Sequence, residues 1–223
     1  MTQEKYQHLI KVAENCIFKY TNKVKISEDV LKSKGIRYVQ KYPYGEINRT
    51  TKNKKRHYET PDGRTVPSVT TVLSATKDMT HLHAWRKRIG EQKAQQITTE
   101  SANIGTVMHR SLEKHVKGED RTPGSNLIQQ KAYKMANVII DNGLKDVSEV
   151  WGSEVNLYYP ELYAGTTDLV GVFKGQPAIM DFKQARKLKK KEWVEDYFLQ
   201  CTAYGIAHNK LHDTNIKTGR IFI

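Results

Sequence analysis

The stretch that most narrows the fold runs from Tyr163 to Lys183. Residues 163–173 and 178–183 are rich in β-branched and aromatic side chains, and Lys174-Gly175 between them is a two-residue hairpin signal. So short a turn joins antiparallel neighbours only, which demands a sheet with these strands side by side. Counting outward from the turn sets Asp168 directly opposite Asp181, with Cβ atoms about 4.5–5.5 Å apart. Carboxylates that close repel, so the pair asks for a proton or a cation. Side chains two apart on a strand share a face, which brings Lys183 beside Asp181 and turns Phe182 into the core. Two chemistries fit these residues. One is an Asp–Lys ion pair on a solvated strand face; the other is a carboxylate pair binding a hard divalent cation, with a lysine to assist phosphodiester hydrolysis.

The flanks extend this unit into an α/β fold. Residues 153–159 add a third strand before the hairpin and 217–223 a later one. The ending Arg220-Ile221-Phe222-Ile223 reads as a short edge or as a chain cut short. Helical spacing marks 80–96, with Leu82, Trp85 and Ile89, and 101–116, with Ile104, Met108 and Leu112. A third helix, 126–142, carries Ile128, Ala132, Met135, Val138 and Ile139 and stops at Asn142-Gly143. Residues 192–209 form a fourth, with Trp193, Tyr197, Phe198, Cys201 and Tyr204 facing inward. Ser68 either caps a helix over 69–73 or leads into a strand there. The resulting order is a central mixed β-sheet flanked by helices, spanning 66–223. Residues 1–65 form a basic N-terminal extension, a cap or a small hairpin, in which Pro61-Asp62-Gly63 is a turn between 57–60 and 64–66. Its run Lys52, Asn53, Lys54, Lys55, Arg56 is a solvated loop or a DNA-backbone contact.

Charge points to the partner. The chain has 37 Lys and Arg against 24 Asp and Glu, a net +13. Such a surface favours a polyanion, because phosphate contacts release condensed counterions. Only Cys16 and Cys201 are present, too few for an iron–sulfur cluster or a disulfide framework. No apolar run approaches a membrane span and the first ten residues lack a secretory pattern, so the cytoplasm is the expected location, that of the host cell if the chain is phage-encoded.

Read in order, four short motifs resemble the PD-(D/E)XK nuclease superfamily in its RecB-like branch. They are Gly105-Thr106-Val107-Met108-His109, Gly165-Thr166-Thr167-Asp168, Asp181-Phe182-Lys183 and Gln200-Cys201-Thr202-Ala203-Tyr204. Pro67-Ser68-Val69-Thr70-Thr71-Val72-Leu73 and Trp85 are further similar to the mitochondrial genome maintenance exonucleases and related phage exonucleases. The resemblance implies a restriction-endonuclease-like core and a centre of His109, Asp168, Asp181 and Lys183. In that centre His109, Asp168, Asp181 and the Phe182 backbone carbonyl would hold Mg²⁺ or Mn²⁺, with Glu154 as an outer ligand. Lys183 would position or activate the attacking water, while Gln200 and Tyr204 contact DNA or brace the lysine. Arg186, Lys187, Lys189, Lys190 and Lys191, just past the catalytic strand, would grip phosphates or form a solvated loop. The activity implied is DNA exonuclease action favouring single strands or strand ends, in phage-type replication, recombination or repair, alongside replication or recombination proteins. A structure-specific or flap endonuclease on the same centre, and a non-catalytic nucleic-acid-binding module, are the alternatives. The residues also leave room for His109 as a packed core histidine and for a buried Tyr204 satisfied by Gln200.

Overall fold

Lys174 and Gly175 both take positive φ, 49° and 75°, the mirror-image turn whose twist matches that of the flanking strands. Phe173 faces Gln176 across it, and the register continues to Leu169 opposite Met180. The computed structural model describes residues 36–187 and 189–223; the part of the N-terminal extension before residue 36 lies outside them.

The fold class expected from the sequence is the one observed. A mixed five-stranded sheet is ordered β1-β5-β6-β7-β8, where β1 is Arg37–Tyr38, β5 Val147–Tyr159, β6 Tyr163–Phe173, β7 Gln176–Phe182 and β8 Thr218–Phe222. β5, β6 and β7 form the antiparallel meander, and β1 and β8 run parallel to their neighbours. Five helices accompany it among the described residues: α1 Val69–Thr76, α2 Thr80–Ile89, α3 Glu91–Val116, α4 Leu127–Asn142 and α5 Glu195–His212. One face of the sheet packs Leu169, Met180 and Phe182 against Ile104, Met108 and Leu112 of α3 and Ala132 and Ile139 of α4. The other packs Val170 and Ile179 against Cys201, Tyr204 and Ala207 of α5 and Val69 and Val72 of α1. Neighbours 169/170 and 179/180 thus face opposite layers, the two-residue period at work.

Several boundaries differ from the sequence reading, each for a local reason. Ser68 accepts a hydrogen bond from the Thr71 N–H at 3.0 Å, so the helix alternative holds at α1. The expected helices over 80–96 and 101–116 break instead at Gly90, whose φ of 85° ends α2. α3 then runs unbroken through 97–100, with the Thr98 hydroxyl donating to the Ala94 carbonyl. β5 begins at Val147 and β7 at Gln176, both earlier than read, and β7 ends at Phe182. Trp193 does not face inward. It lies in a short 3₁₀ turn, Lys191–Trp193, ahead of α5, which takes it off the helix's inner column and leaves it 60% exposed. Tyr197 and Phe198 are half-buried, while Cys201 and Tyr204 are buried as expected.

A second sheet, β2-β3-β4, comprises Asn48–Lys52, Lys55–Glu59 and Thr65–Pro67. The hairpin expected around Pro61-Asp62-Gly63 is β3–β4. The basic run 52–56 is not a plain loop: Asn53 and Lys54, with φ of 52° and 59°, turn β2 into β3. Residue 65 opens β4, and Tyr58 and Val66 pack on Ala164 of β6. No helix among the described residues is long and apolar enough to cross a membrane.

Candidate metal centre

The centre is built on one transverse row of the sheet. Ser153 pairs with Leu169 and Val155 with Thr167, while Leu169 pairs with Met180. The same registers set Glu154, Asp168 and Asp181 in a line across β5, β6 and β7. The β5–β6 ladder skips this row and resumes at Val155–Thr167, while the β6–β7 ladder ends before it, at Leu169–Met180. Asp168 Oδ2 instead accepts the Phe182 N–H at 2.6 Å, so a side chain replaces the backbone partner. Asp168 and Asp181 therefore share the predicted register without forming a backbone pair. Glu154 follows an irregular stretch of β5 between Val150 and Gly152 and takes a φ of 54°. That conformation is strained for a residue with a Cβ, and such irregularities re-aim side chains near functional sites.

α3 supplies the fourth group. His109 follows the buried Met108, and its Nδ1 lies 3.1 Å from Asp168 Oδ1. Its ring stands edge-on to Phe182 at 6.0 Å between centroids. His109, Glu154 and Asp168 each offer a ligand atom within 4.8 Å of the others. Asp181 stands outside this trio. Its Oδ2 forms an ion pair with Lys183 Nζ, and its Oδ1 accepts from Gln200 Nε2 at 3.3 Å.

The charges on this row shift one another. Burial and then the neighbouring Asp168 raise the Asp181 carboxyl above its ordinary range. Burial alone would lower Lys183, but the Asp181 and Asp168 carboxylates outweigh it and hold the ammonium above its usual value. Desolvation opposes protonation of His109, yet the hydrogen bond and charge of Asp168, with the charge of Asp181, raise it. Glu154 is exposed as a residue, yet its carboxyl turns toward the site, where desolvation and then the Asp168 charge push it up to about 7.

These residues fit a divalent cation. One imidazole and two carboxylates converge, and the buried Asp181 Oδ2 beside them faces the Lys183 ammonium as an ion pair. The Phe182 N–H points toward β6, and in a strand the carbonyl of the same residue points to the same side. The Phe182 carbonyl is thus directed along the Asp168 edge.

Gln200 and Tyr204 are buried, 9% and 3% exposed. Gln200 braces Asp181, the partner of Lys183, rather than Lys183 itself. The Tyr204 hydroxyl lies where a Cβ on Gly165 would come within 2.6 Å, so the bare Gly165 leaves room for the Tyr204 ring against β6. Arg186 is exposed but bonded to Glu100 of α3 at 3.0 Å. Lys187, Lys190 and Lys191 are exposed and Lys189 is half-buried, with the Lys190 ammonium 5.6 Å over the Trp193 ring.

Two neighbours escaped the sequence reading. Tyr197 offers its ring to Lys183 Nζ at 5.2 Å, and Glu100 pairs with both Arg186 and Lys131. Position 197 follows from the helical period, since it lies three before Gln200; nothing local marks Glu100. No protein-family model matches this chain, and no curated protein matches it.

Proposed function

We propose that the protein is a metal-dependent deoxyribonuclease of the PD-(D/E)XK type, acting as an exonuclease on single strands or strand ends. The observation that carries this reading is the convergence of His109, Glu154 and Asp168 within 4.8 Å, next to the ion pair that Lys183 makes with Asp181 of the same row. A structural ion pair explains Lys183 and Asp181 but not the histidine and two further carboxyl groups gathered beside them.

His109, Glu154 and Asp168 would hold Mg²⁺ or Mn²⁺, with Asp181 and the Phe182 carbonyl as further candidate oxygens, and the ion would supply the positive charge that phosphodiester hydrolysis needs at the phosphate. The protein's own groups account for the rest. Lys183, kept protonated by its carboxylate neighbours, donates to a phosphate oxygen and orients the attacking water. Asp181 holds that ammonium in place, and Gln200 holds Asp181. Lys187, Lys190 and Lys191 meet the phosphates beyond the centre, and the exposed Trp193 beside them suits stacking on unpaired bases.

The test is incubation with end-labelled single- and double-stranded DNA in Mg²⁺ or EDTA, beside Lys183→Ala. Cleavage that requires the metal and is lost in the variant supports the reading, and ladders from the labelled end identify end-dependent trimming. Cleavage that survives EDTA or the substitution overturns it.

A further inference from the structure

The β2–β3 hairpin has no part in the centre described above, and its composition is not explained by folding. All five residues of β2 are exposed, and β3 is exposed or half-exposed until Tyr58. The ribbon carries Arg49, Lys52, Lys54, Lys55 and Arg56, with no carboxylate from residue 48 to 57. None of these five cations forms an ion pair among the described residues. Lys52 and Lys55 face each other directly across the strands, an arrangement that destabilises a hairpin. Lys54 adds a third charge in the turn at a positive φ. Beyond the buried Tyr58, the repulsion between Lys52 and Lys55 works against the ribbon's stability, so these charges are not there to hold the fold.

It is anchored at its base. Tyr58 is buried, and its hydroxyl lies 3.3 Å from Thr166 Oγ1. Val66 and Ala164 complete that contact, and Ser68 bridges to Ala164. Thr166 is two residues from Asp168 on the same strand, about 7 Å along it, while the tip lies about 13 Å beyond Tyr58 at ordinary strand rise. The cations sit on both faces of the ribbon: Lys52 and Lys55 on one, Arg49 and Arg56 on the face that carries Tyr58.

We propose that this hairpin is a nucleic-acid arm, gripping the phosphodiester backbone of the substrate outside the cleavage centre and without reading sequence. The proposal rests on the nuclease reading for its substrate class. An uncompensated row of cations on an exposed ribbon complements a polyanion, and β-ribbons are used in this way along nucleic-acid backbones and grooves. Lysines on an edge strand also keep it from pairing with other chains, and the test separates the two roles.

Binding of a labelled oligonucleotide, single-stranded or duplex, is measured by anisotropy in EDTA over a range of salt. The wild type is compared with Lys52→Gln/Lys54→Gln/Lys55→Gln, with the Lys→Arg version of the same triple, and with Lys145→Gln/Lys210→Gln/Lys217→Gln, which removes equal charge elsewhere. The arm predicts that the hairpin Gln triple lowers the slope of log K against log[salt] by about 2 on single strands or about 3 on duplex, with roughly tenfold or greater weakening at ~0.1 M salt. The Arg triple keeps the slope, and the distant triple changes it little. Whichever oligonucleotide shows the larger loss identifies the form of backbone held. An unchanged slope, an equal loss in the distant triple, or self-association with binding intact overturns the arm. Because no cleavage is needed, a protein that binds through the hairpin yet never cuts would separate failure of the nuclease reading from failure of the arm.

Discussion

The Phe182 backbone N–H donates to Asp168 Oδ2 at 2.6 Å, where the β6–β7 ladder would otherwise continue. This bond fixes the carboxylate from behind and leaves Oδ1 facing His109. It also parts the two strands on the row that carries Glu154 and Asp181. One side chain thereby ends a ladder, turns its other oxygen to His109 and keeps a buried amide satisfied.

Substitutions at Asp168 should therefore split stability from metal binding. Asp168→Asn can still turn its oxygen to the Phe182 N–H and is expected to stay within about 1 kcal/mol of the wild type. Asp168→Ala leaves that buried N–H unpaired, at a cost of about 1–3 kcal/mol. Both should lose any Mn²⁺-dependent rise in melting temperature. Urea denaturation with and without Mn²⁺ measures both effects, and an Asn variant that still gains stability from Mn²⁺ would count against Asp168 as a ligand.

How much of this was legible beforehand depended on whether the determinant was local. The Lys174-Gly175 turn sets the β6–β7 register by its two-residue length, with Gly175 free to take positive φ, so the Asp168–Asp181 row can be counted from it. Ser68 likewise announces α1 through its own side chain. Gly90 is not marked as a break, because apolar spacing continues on both sides of it. The β2–β3 hairpin alternates charged and polar residues, which gives no apolar face to detect. An aromatic at helical spacing, such as Trp193, says nothing of a 3₁₀ turn placed before the helix. Glu154 joins His109 and Asp168 through a strained φ beside a strand irregularity, and Asp181 is drawn aside by Lys183 and Gln200. Those two outcomes arise from contacts between distant elements and have no signature in a short window.

The Asp181–Lys183 pair should behave as a buried ion pair whose chemistry and stability can be separated. Asp181 is 1% exposed, so Lys183→Met strands its carboxyl and is expected to cost about 3 kcal/mol. The double variant Asp181→Asn/Lys183→Met removes both charges and should recover most of that loss. Nuclease activity should be absent from the double variant and from each single one. Thermal melts of the four proteins complete the cycle; additive losses would show that the pair is not coupled.

His208 gives the fold an acid limit that is independent of the metal centre. It is fully buried on α5, between the Tyr44 hydroxyl at 3.0 Å and the Thr214 hydroxyl at 2.8 Å. Burial, and then the nearby His212, lower it from 6.5 to about 4. The unfolded chain thus binds a proton that the native state refuses between those values, so stability is full above pH 6.5 and falls as pH drops toward 4. The loss from this group is roughly 3 kcal/mol. His208→Gln should be less stable at neutral pH but flatter across that window. Urea midpoints at a series of pH values test this, and an unaltered slope in the variant would assign the titration elsewhere.

Glu154 should tie any metal binding to pH with a sign opposite to that of His208. Its carboxyl is raised from 4.5 to about 7, so the metal-free native state holds a proton there that the unfolded chain has released. Between those values this group's contribution to stability is present at low pH and lost as pH rises. A cation at the His109–Glu154–Asp168 trio must displace that proton, and must likewise displace the one favoured on His109. Affinity should therefore increase as pH rises through about 7. The expected result is a Mn²⁺-induced increase in melting temperature that is small at low pH, grows across neutrality and then levels. Glu154→Gln should weaken the increase and reduce its pH dependence, leaving the part that belongs to His109. An increase that is constant with pH, or one that Glu154→Gln leaves intact, would place the cation away from this carboxyl.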